Sequence, residues 1–365
     1  FTIMSTTETE NFGGLKRSNY QATVDGKKTD LFFLKNSKGH VVAITNYGGA
    51  VVGVFVPDKN GELANVIQSY DSIEAAQKSD SPYKSTLIGR YGNRICEGNF
   101  TLNGKAYHLA VNNGKNHLHG GKKGYNLRVW EAQKMGEHTL ALNLVSPYGE
   151  EGYTGEVKVS VEYSFTDDDE LIIEYLATTN KKTIINLTHH GYFSLAGIAN
   201  PTPTVDNVVC EINADFFIPI DDTSIPTGEI LKVEGTPFDF RVPKPLGQDI
   251  DADDEQIKNG AGYDHCFVLN KKEFGELSFA AKVVEPVSGR TMEVYTTEPG
   301  VQLYTDNWAD GKDGQCGASF PKRSSVCFEA QHFPDTPNRP YFPNVVLKPG
   351  EQYKQKTIYK FGVEK

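Results

Sequence analysis

Apolar and polar residues alternate with a period of two along most of the chain, as in Val157, Val159, Val161, Tyr163 and Phe165 with polar residues between them. Successive side chains on a strand face opposite sides, so this pattern predicts strands with one face buried and one in water. Helical periodicity is nearly absent. Turn residues punctuate the strands: Asn103-Gly104, the run Asp167-Asp168-Asp169, and Ser288-Gly289 each join two alternating segments as the loop of an antiparallel hairpin. Asp71 to Lys78, with Asp71 or Ser72 as N-cap, and Asp251 to Asn259 are the only segments that predict short helices.

So many strands without helices between them cannot form parallel βαβ units, and must pack sheet on sheet or close into a barrel. The expected fold is therefore all-β, a large antiparallel β-sandwich with few short helices. Residues 1–25 are expected to form an N-terminal tail and 26–365 a single sandwich domain. The loop-like stretches 196–207 and 242–262 have strands of the same pattern on both sides, and no linker, repeat or low-complexity segment divides the chain.

Composition narrows the function more than the fold. With 38% hydrophobic and 11% aromatic residues the 365-residue chain can bury a large core, and its net charge of −10 is scattered rather than blocked. An acidic, evenly charged surface makes nucleic acid or an anionic membrane a poor partner, and a neutral small molecule a better one. No apolar run approaches the roughly 18 to 20 residues that a membrane span needs. Phe1-Thr2 reads as a cloning remnant ahead of a natural start at Met4, with no leader. The five cysteines, Cys96, Cys210, Cys266, Cys316 and Cys327, are odd in number and form no CxxC pair, so they are expected to be reduced core residues. The expected compartment is the cytoplasm, or the periplasm if a leader has been removed.

The nine histidines are the natural place to look for chemistry near neutral pH. His40, His108 and His138 sit in strand or turn contexts that predict surface or packing roles. His117 and His119, two apart in NHLHGG, would share one face of a strand, which is metal-ligand spacing. The expectation is nevertheless no metal, because Lys123 and Gly124 stand where a cupin would place its glutamate and no HExxH or thiolate pair is present. His190 follows the strand TIINLT and precedes Tyr192 and Phe193, and an imidazole beside flat aromatics suits a sugar, although a hydrogen-bonded core histidine is an equal reading of that motif alone. Glu329 interrupts the apolar run SVCFEAQHF. A carboxylate buried there is costly unless it pairs or works, and burial raises its pKa toward the range of a general base, whereas an edge strand would turn it to water. The turn GRYGNR aims the donors of Asn93 and Arg94 but has the wrong glycine spacing for a dinucleotide, and LHGGKKG fails the P-loop pattern.

Six segments in order, GRYGNRI, NHLHGG, INLTHHGYFSLAG, GYDHCFVL, TTEPGVQLYT and CFEAQHFPDTPNRPYFPNVVLKPGE, resemble the aldose 1-epimerases, the galactose mutarotases, from about residue 40 to the C-terminus. The resemblance implies a galactose mutarotase-like β-supersandwich of roughly thirty strands with an open cleft. It also implies a cofactor-free isomerase that interconverts the α and β anomers of free aldohexoses such as galactose and glucose. On the matching positions it implies His190 as general acid, Glu329 as general base and His119 as a catalytic group that polarises a reacting oxygen. It places Asn93, Arg94, His119, Asp264 and Gln302 on the sugar. The chain departs from the family at His189, where Asn is usual, and at Gly191 and Ser194, which bears on substrate preference. The expected assembly is a monomer or homodimer. A non-catalytic carbohydrate-binding protein, which needs no acid and base, and a sandwich-fold polysaccharide lyase, which wants a Tyr/His pair and a more basic cleft, are the alternatives.

Overall fold

The computed structural model describes residues 11–200 and 203–364, so Phe1, Thr2 and Met4 lie outside the described residues. Those residues form 34 strands and two short α-helices. Alternation is realised where it was expected: Val157–Phe165 buries every second residue, and its partner Glu170–Thr179 does the same. Asn103 and Gly104 both have positive φ, 52° and 72°, as the two-residue turn between Asn99–Leu102 and Lys105–His108 requires. The first helix runs Ile73–Lys78 with the Ser72 side chain accepting from the Ala75 N–H. The second is confined to Glu255–Gly260, because Asp254 caps it by accepting from the Gln256 and Ile257 N–H groups.

Three sheets carry the architecture. The largest has nine strands in the order Glu131–Lys134, Thr139–Ser146, Val157–Phe165, Glu170–Thr179, Tyr353–Val363, Arg290–Thr296, Ser278–Val284, Val209–Ile212 and Lys244–Pro245. A four-stranded sheet is built from Leu31–Lys35, Val41–Thr45, Val51–Pro57 and Leu63–Asn65. A five-stranded sheet has the order Leu231–Lys232, Ala214–Ile218, Asp264–Leu269, Gly300–Tyr304, Cys327–Gln331. All their ladders are antiparallel. One continuous core joins them: Val159, Val161, Tyr163 and Val294 of the large sheet share it with Val42, Ile44 and Val54 of the second and Phe267, Leu303 and Phe328 of the third. Two faces meeting over such a core form a sandwich.

The N-terminal stretch expected as a tail is docked over residues 11–25. Leu15 and Tyr20 join Ile73 and Ala76 of the first helix in a second cluster against Val41, Ala43 and Val52. That layer covers the face of the four-stranded sheet turned away from the main core, which is why Val41–Thr45 is buried on both sides. The cysteines are all free. Cys210, Cys266 and Cys327 are in the interior as expected, Cys96 is half-buried and Cys316 is exposed.

Candidate active site

Register on the five-stranded sheet builds one wall of a cleft. Gln302 stands opposite both Cys266 and Glu329, and Tyr304 opposite both Asp264 and Cys327. Residues directly opposed share a face, so Asp264, Gln302, Tyr304 and Glu329 lie on one side, while Phe267, Leu303 and Phe328 fill the core on the other. Glu329 is therefore not on a water-facing edge: it is 2% exposed on a strand buried throughout.

Turns rather than strands build the opposite wall. Arg94–Ile95 pairs with His117–Leu118, and the residues at the ends of that pair, Asn93 and His119, adopt left-handed φ of 67° and 50°. They close on each other: the Asn93 N–H donates to His119 Nδ1 at 2.9 Å, and the His119 N–H donates to the Asn93 carbonyl at 3.1 Å. Gly120 follows with φ 88°, and a Cβ there would lie 2.0 Å from the Gly89 carbonyl oxygen, so only glycine lets the chain pass. His190 comes from the segment after Thr188–His189, which pairs with Leu87–Ile88. Its carbonyl accepts from the Ser85 N–H and its own N–H donates to the Thr86 carbonyl, both at 2.9 Å.

The two walls bring His190 Nε2 to 3.4 Å and His119 Nε2 to 3.9 Å from the same oxygen, Oε1 of Glu329. The cleft between them has a volume of about 340 Å³, and Asn93, Arg94 and Asp264 line it with these three. The His190 ring lies parallel to Tyr192, with centroids 4.8 Å apart, and edge-on to His119 and Tyr304. Gln302 is the one expected contact residue that does not line the cleft: it is buried behind Asp264, donating to Asp264 Oδ1 at 2.9 Å and accepting from Gln331. Through that bond from a neighbouring strand the Gln302 amide holds the Asp264 carboxyl.

Burial governs the electrostatics. It drives His190 down to about 3, with His189 and Lys84 adding to the effect of desolvation, and drives His119 well below its ordinary value. It pushes Glu329 well above the carboxylate range, with neighbouring Asp264 raising it further and Arg94 opposing both. Burial thus disfavours the charged form of both partners, so an imidazolium acid and an ionised base here must sustain each other across the 3.4 Å between them.

His119, His190 and Glu329, the three residues that the resemblance implies as catalytic, also place three ligand-type atoms within 4.8 Å of one another. The Asn93 N–H occupies the lone pair of His119 Nδ1, so the neutral ring carries its proton on Nε2. The atom that faces Glu329 is then a donor, with no lone pair for a metal, and it suits an oxygen of a bound molecule instead.

The remaining histidines separate cleanly. The left-handed His119 breaks strand alternation, so His117 does not share its face; it is buried between the Ala110 carbonyl at 2.6 Å and the Tyr153 hydroxyl at 2.5 Å. His40 bonds Asp169 at 2.6 Å and His332 bonds Glu298 at 2.8 Å. His189, the departure from the family pattern, points away from the cleft to lie edge-on to Tyr163 and Tyr359, so it touches nothing that would bind there. Of the two aromatics after His190, Tyr192 lines the cleft and Phe193 is in the core. Tyr83, Tyr304 and Trp308 also line it and were not anticipated. Tyr304 was within reach, two residues beyond Gln302 on one strand, whereas Trp308, 74% exposed in a loop, carried no signal.

Across residues 30–360 the chain matches the family described as aldose 1-epimerase. It is 44% identical over 323 residues to a galactose mutarotase of Bos taurus, covering 88% of this chain and 91% of that protein. It is 33% identical over 342 residues to an aldose 1-epimerase of Escherichia coli (strain K12), covering 93% and 97%. Among solved structures, an aldose epimerase homologue from C. elegans superimposes with a TM-score of 0.84 at 29% identity, over 92% of this chain and all of that one. A galactose 1-epimerase from Lactobacillus acidophilus NCFM gives 0.81 at 28%, over 94% and 97%.

Proposed function

The chain belongs to the aldose 1-epimerase family, and from that premise we propose that it is an isomerase which interconverts the α and β anomers of galactose and glucose. In this reading His190 and Glu329 move the protons. The observation that carries it is the meeting of an imidazole and a carboxyl, 139 positions apart in the chain, at 3.4 Å across one sugar-sized cleft.

The sugar lies between the walls with O1–H toward Glu329 and its ring oxygen toward His190. Glu329 takes the O1 proton as His190 gives one to the ring oxygen; the C1–O5 bond breaks and C1=O forms. Rotation about C1–C2 presents the other carbonyl face, and the same two proton movements in reverse close the ring to the opposite anomer. Ring opening moves the pair's one proton from His190 to Glu329, and desolvation, which disfavours both the imidazolium and the carboxylate, favours that transfer. The Nε2–H of His119 and the Arg94 guanidinium donate to oxygens that gain charge, Asn93 and Asp264 hold hydroxyls, and Gln302 keeps Asp264 in place. A binding module would have no use for an acid and base sharing one oxygen at this distance. Among the described residues no helix is long and apolar enough to cross a membrane.

Polarimetry on freshly dissolved α-D-galactose tests the reading. Glu329→Gln keeps the shape and deletes the base, and should lower kcat by about 10² to 10⁴. A Glu329→Gln protein that mutarotates galactose at the wild-type rate overturns it.

A further inference from the structure

Lys84 is 2% exposed, which is rare for an ammonium and costly without a use. Its Nζ lies 5.3 Å from the Tyr192 ring centroid and 5.1 Å from that of Phe320, and the Asp313 carboxylate is 3.9 Å away. Tyr192 is the ring stacked on His190. The backbone around Lys84 is pinned to the same segment. Its own N–H donates to the Tyr70 hydroxyl at 3.1 Å, and the Tyr192 N–H donates to Ser85 Oγ at 3.1 Å. Ser85, in the left-handed region at φ 58°, donates its N–H to the His190 carbonyl. A second cavity of about 450 Å³, which shares Ser81, Tyr304 and Trp308 with the sugar cleft, reaches Lys84 from the other side and is bounded there by Asp306 and Asp313. Burial pushes Asp306 up to about 6, and Lys84 pulls it back.

We propose that Lys84 is a positioning residue for ring opening: its ammonium, seated over Tyr192, holds that ring flat against His190 and sets a positive charge behind the imidazole that serves the ring oxygen. The inference rests on the reading of His190 as the acid. His190 is faced by Glu329 from one strand, Tyr304 from the next, His119 and Tyr83 from loops, and His189 and Tyr192 from its own segment. Lys84 is the cation that acts on it, and Asp306 and Asp313 stand behind that cation as its counter-charges.

The test is the pH profile of kcat for galactose anomerisation in the whole protein. Lys84→Met should move the limb set by His190 to higher pH by about one unit, the influence of a unit charge roughly 10 Å away at an effective dielectric of about 20, with KM little changed. Lys84→Arg should keep the wild-type profile. Asp313→Asn, which removes the carboxylate 3.9 Å from Lys84 Nζ, should move that limb the opposite way by a smaller amount, a reversal that a purely structural role does not produce. Folded Lys84→Met and Asp313→Asn proteins whose profiles coincide with the wild type overturn the proposal, and if Lys84→Met does not fold, Asp313→Asn decides alone. Coincident limbs with Glu329→Gln inactive sink only the role of Lys84, whereas an active Glu329→Gln sinks the acid–base reading beneath it.

Discussion

The two walls of the cleft are made by different means. On one, Asp264, Tyr304 and Glu329 are placed by strand register, each held by a neighbour strand and backed by the core. On the other, Asn93, Arg94, His119 and His190 are placed by turns whose left-handed residues and reciprocal backbone hydrogen bonds substitute for a ladder. Carboxyl groups stand on the strand wall, and imidazole and guanidinium groups on the turn wall. The division has a physical reason. The Gln302 amide holds Asp264 from a neighbouring strand and the Arg94 charge acts on it across the cleft, whereas the His119 imidazole must present one chosen nitrogen, and a backbone N–H at its other nitrogen makes that choice.

The largest test of this comparison removes the imidazole proposed as the turn wall's proton donor. His190→Asn should lower kcat by about 10² to 10⁴, as Glu329→Gln does on the strand wall, and a double variant should be little worse than either alone, because the two groups act as a unit. Polarimetric rates that multiply instead would mean the walls work independently. Next comes the backbone of the turn wall. Gly120→Ala should destabilise the protein by about 2 to 4 kcal/mol through its left-handed φ and the clash with Gly89, read as a lower midpoint in chemical denaturation. An unshifted midpoint would show that the turn yields.

The strand wall also has two faces, and pH distinguishes them. His265 sits between Asp264 and Cys266 but points into the core against Phe238, where burial drives it down to about 3. Between pH 6.5 and about 3 the unfolded chain binds a proton that folded His265 refuses, so this residue's share of stability falls as pH falls below 6.5, by up to about 1.4 kcal/mol per unit. From pH 7 to pH 5 the wild type should lose about 2 kcal/mol more than His265→Leu; equal losses in denaturant titrations would contradict the burial argument. The smallest effect belongs to Gln302→Leu. Losing its hydrogen bond to Asp264 should raise KM for galactose about tenfold while kcat falls less. An unchanged KM would show that Asp264 holds its place unaided.

Much of this was legible in one dimension. Alternation marked the half-buried strands, Asn103-Gly104 and Ser72 marked a turn and a cap, and Glu329 stood out because a carboxylate on an apolar strand needs a reason. Motif likeness reached the residues of both walls. It could not tell that Gln302 stands behind Asp264 rather than in the cleft, since both sit on the same sheet face and only packing decides which of them meets the opening. Nor could spacing tell that His117 and His119 part company, because a single left-handed residue cancels the period on which the shared face depended. The stretch 11–25 reads as a tail because its apolar residues show no sustained alternation, yet Leu15 and Tyr20, with Phe12, Ala22 and Val24 packed beside them, are what closes the outer face of the four-stranded sheet.

By itself the amino-acid order determined the strands, their turns and which residue types were available for proton transfer, since these follow from local backbone preference and the alternation of side chains. Tertiary structure alone decided how closely the imidazoles meet the carboxyl, how strongly burial acts on each and that a lysine lies buried behind them. Those outcomes depend on distance, desolvation and register between segments far apart in the chain, and none of these quantities exists until the sheets have packed.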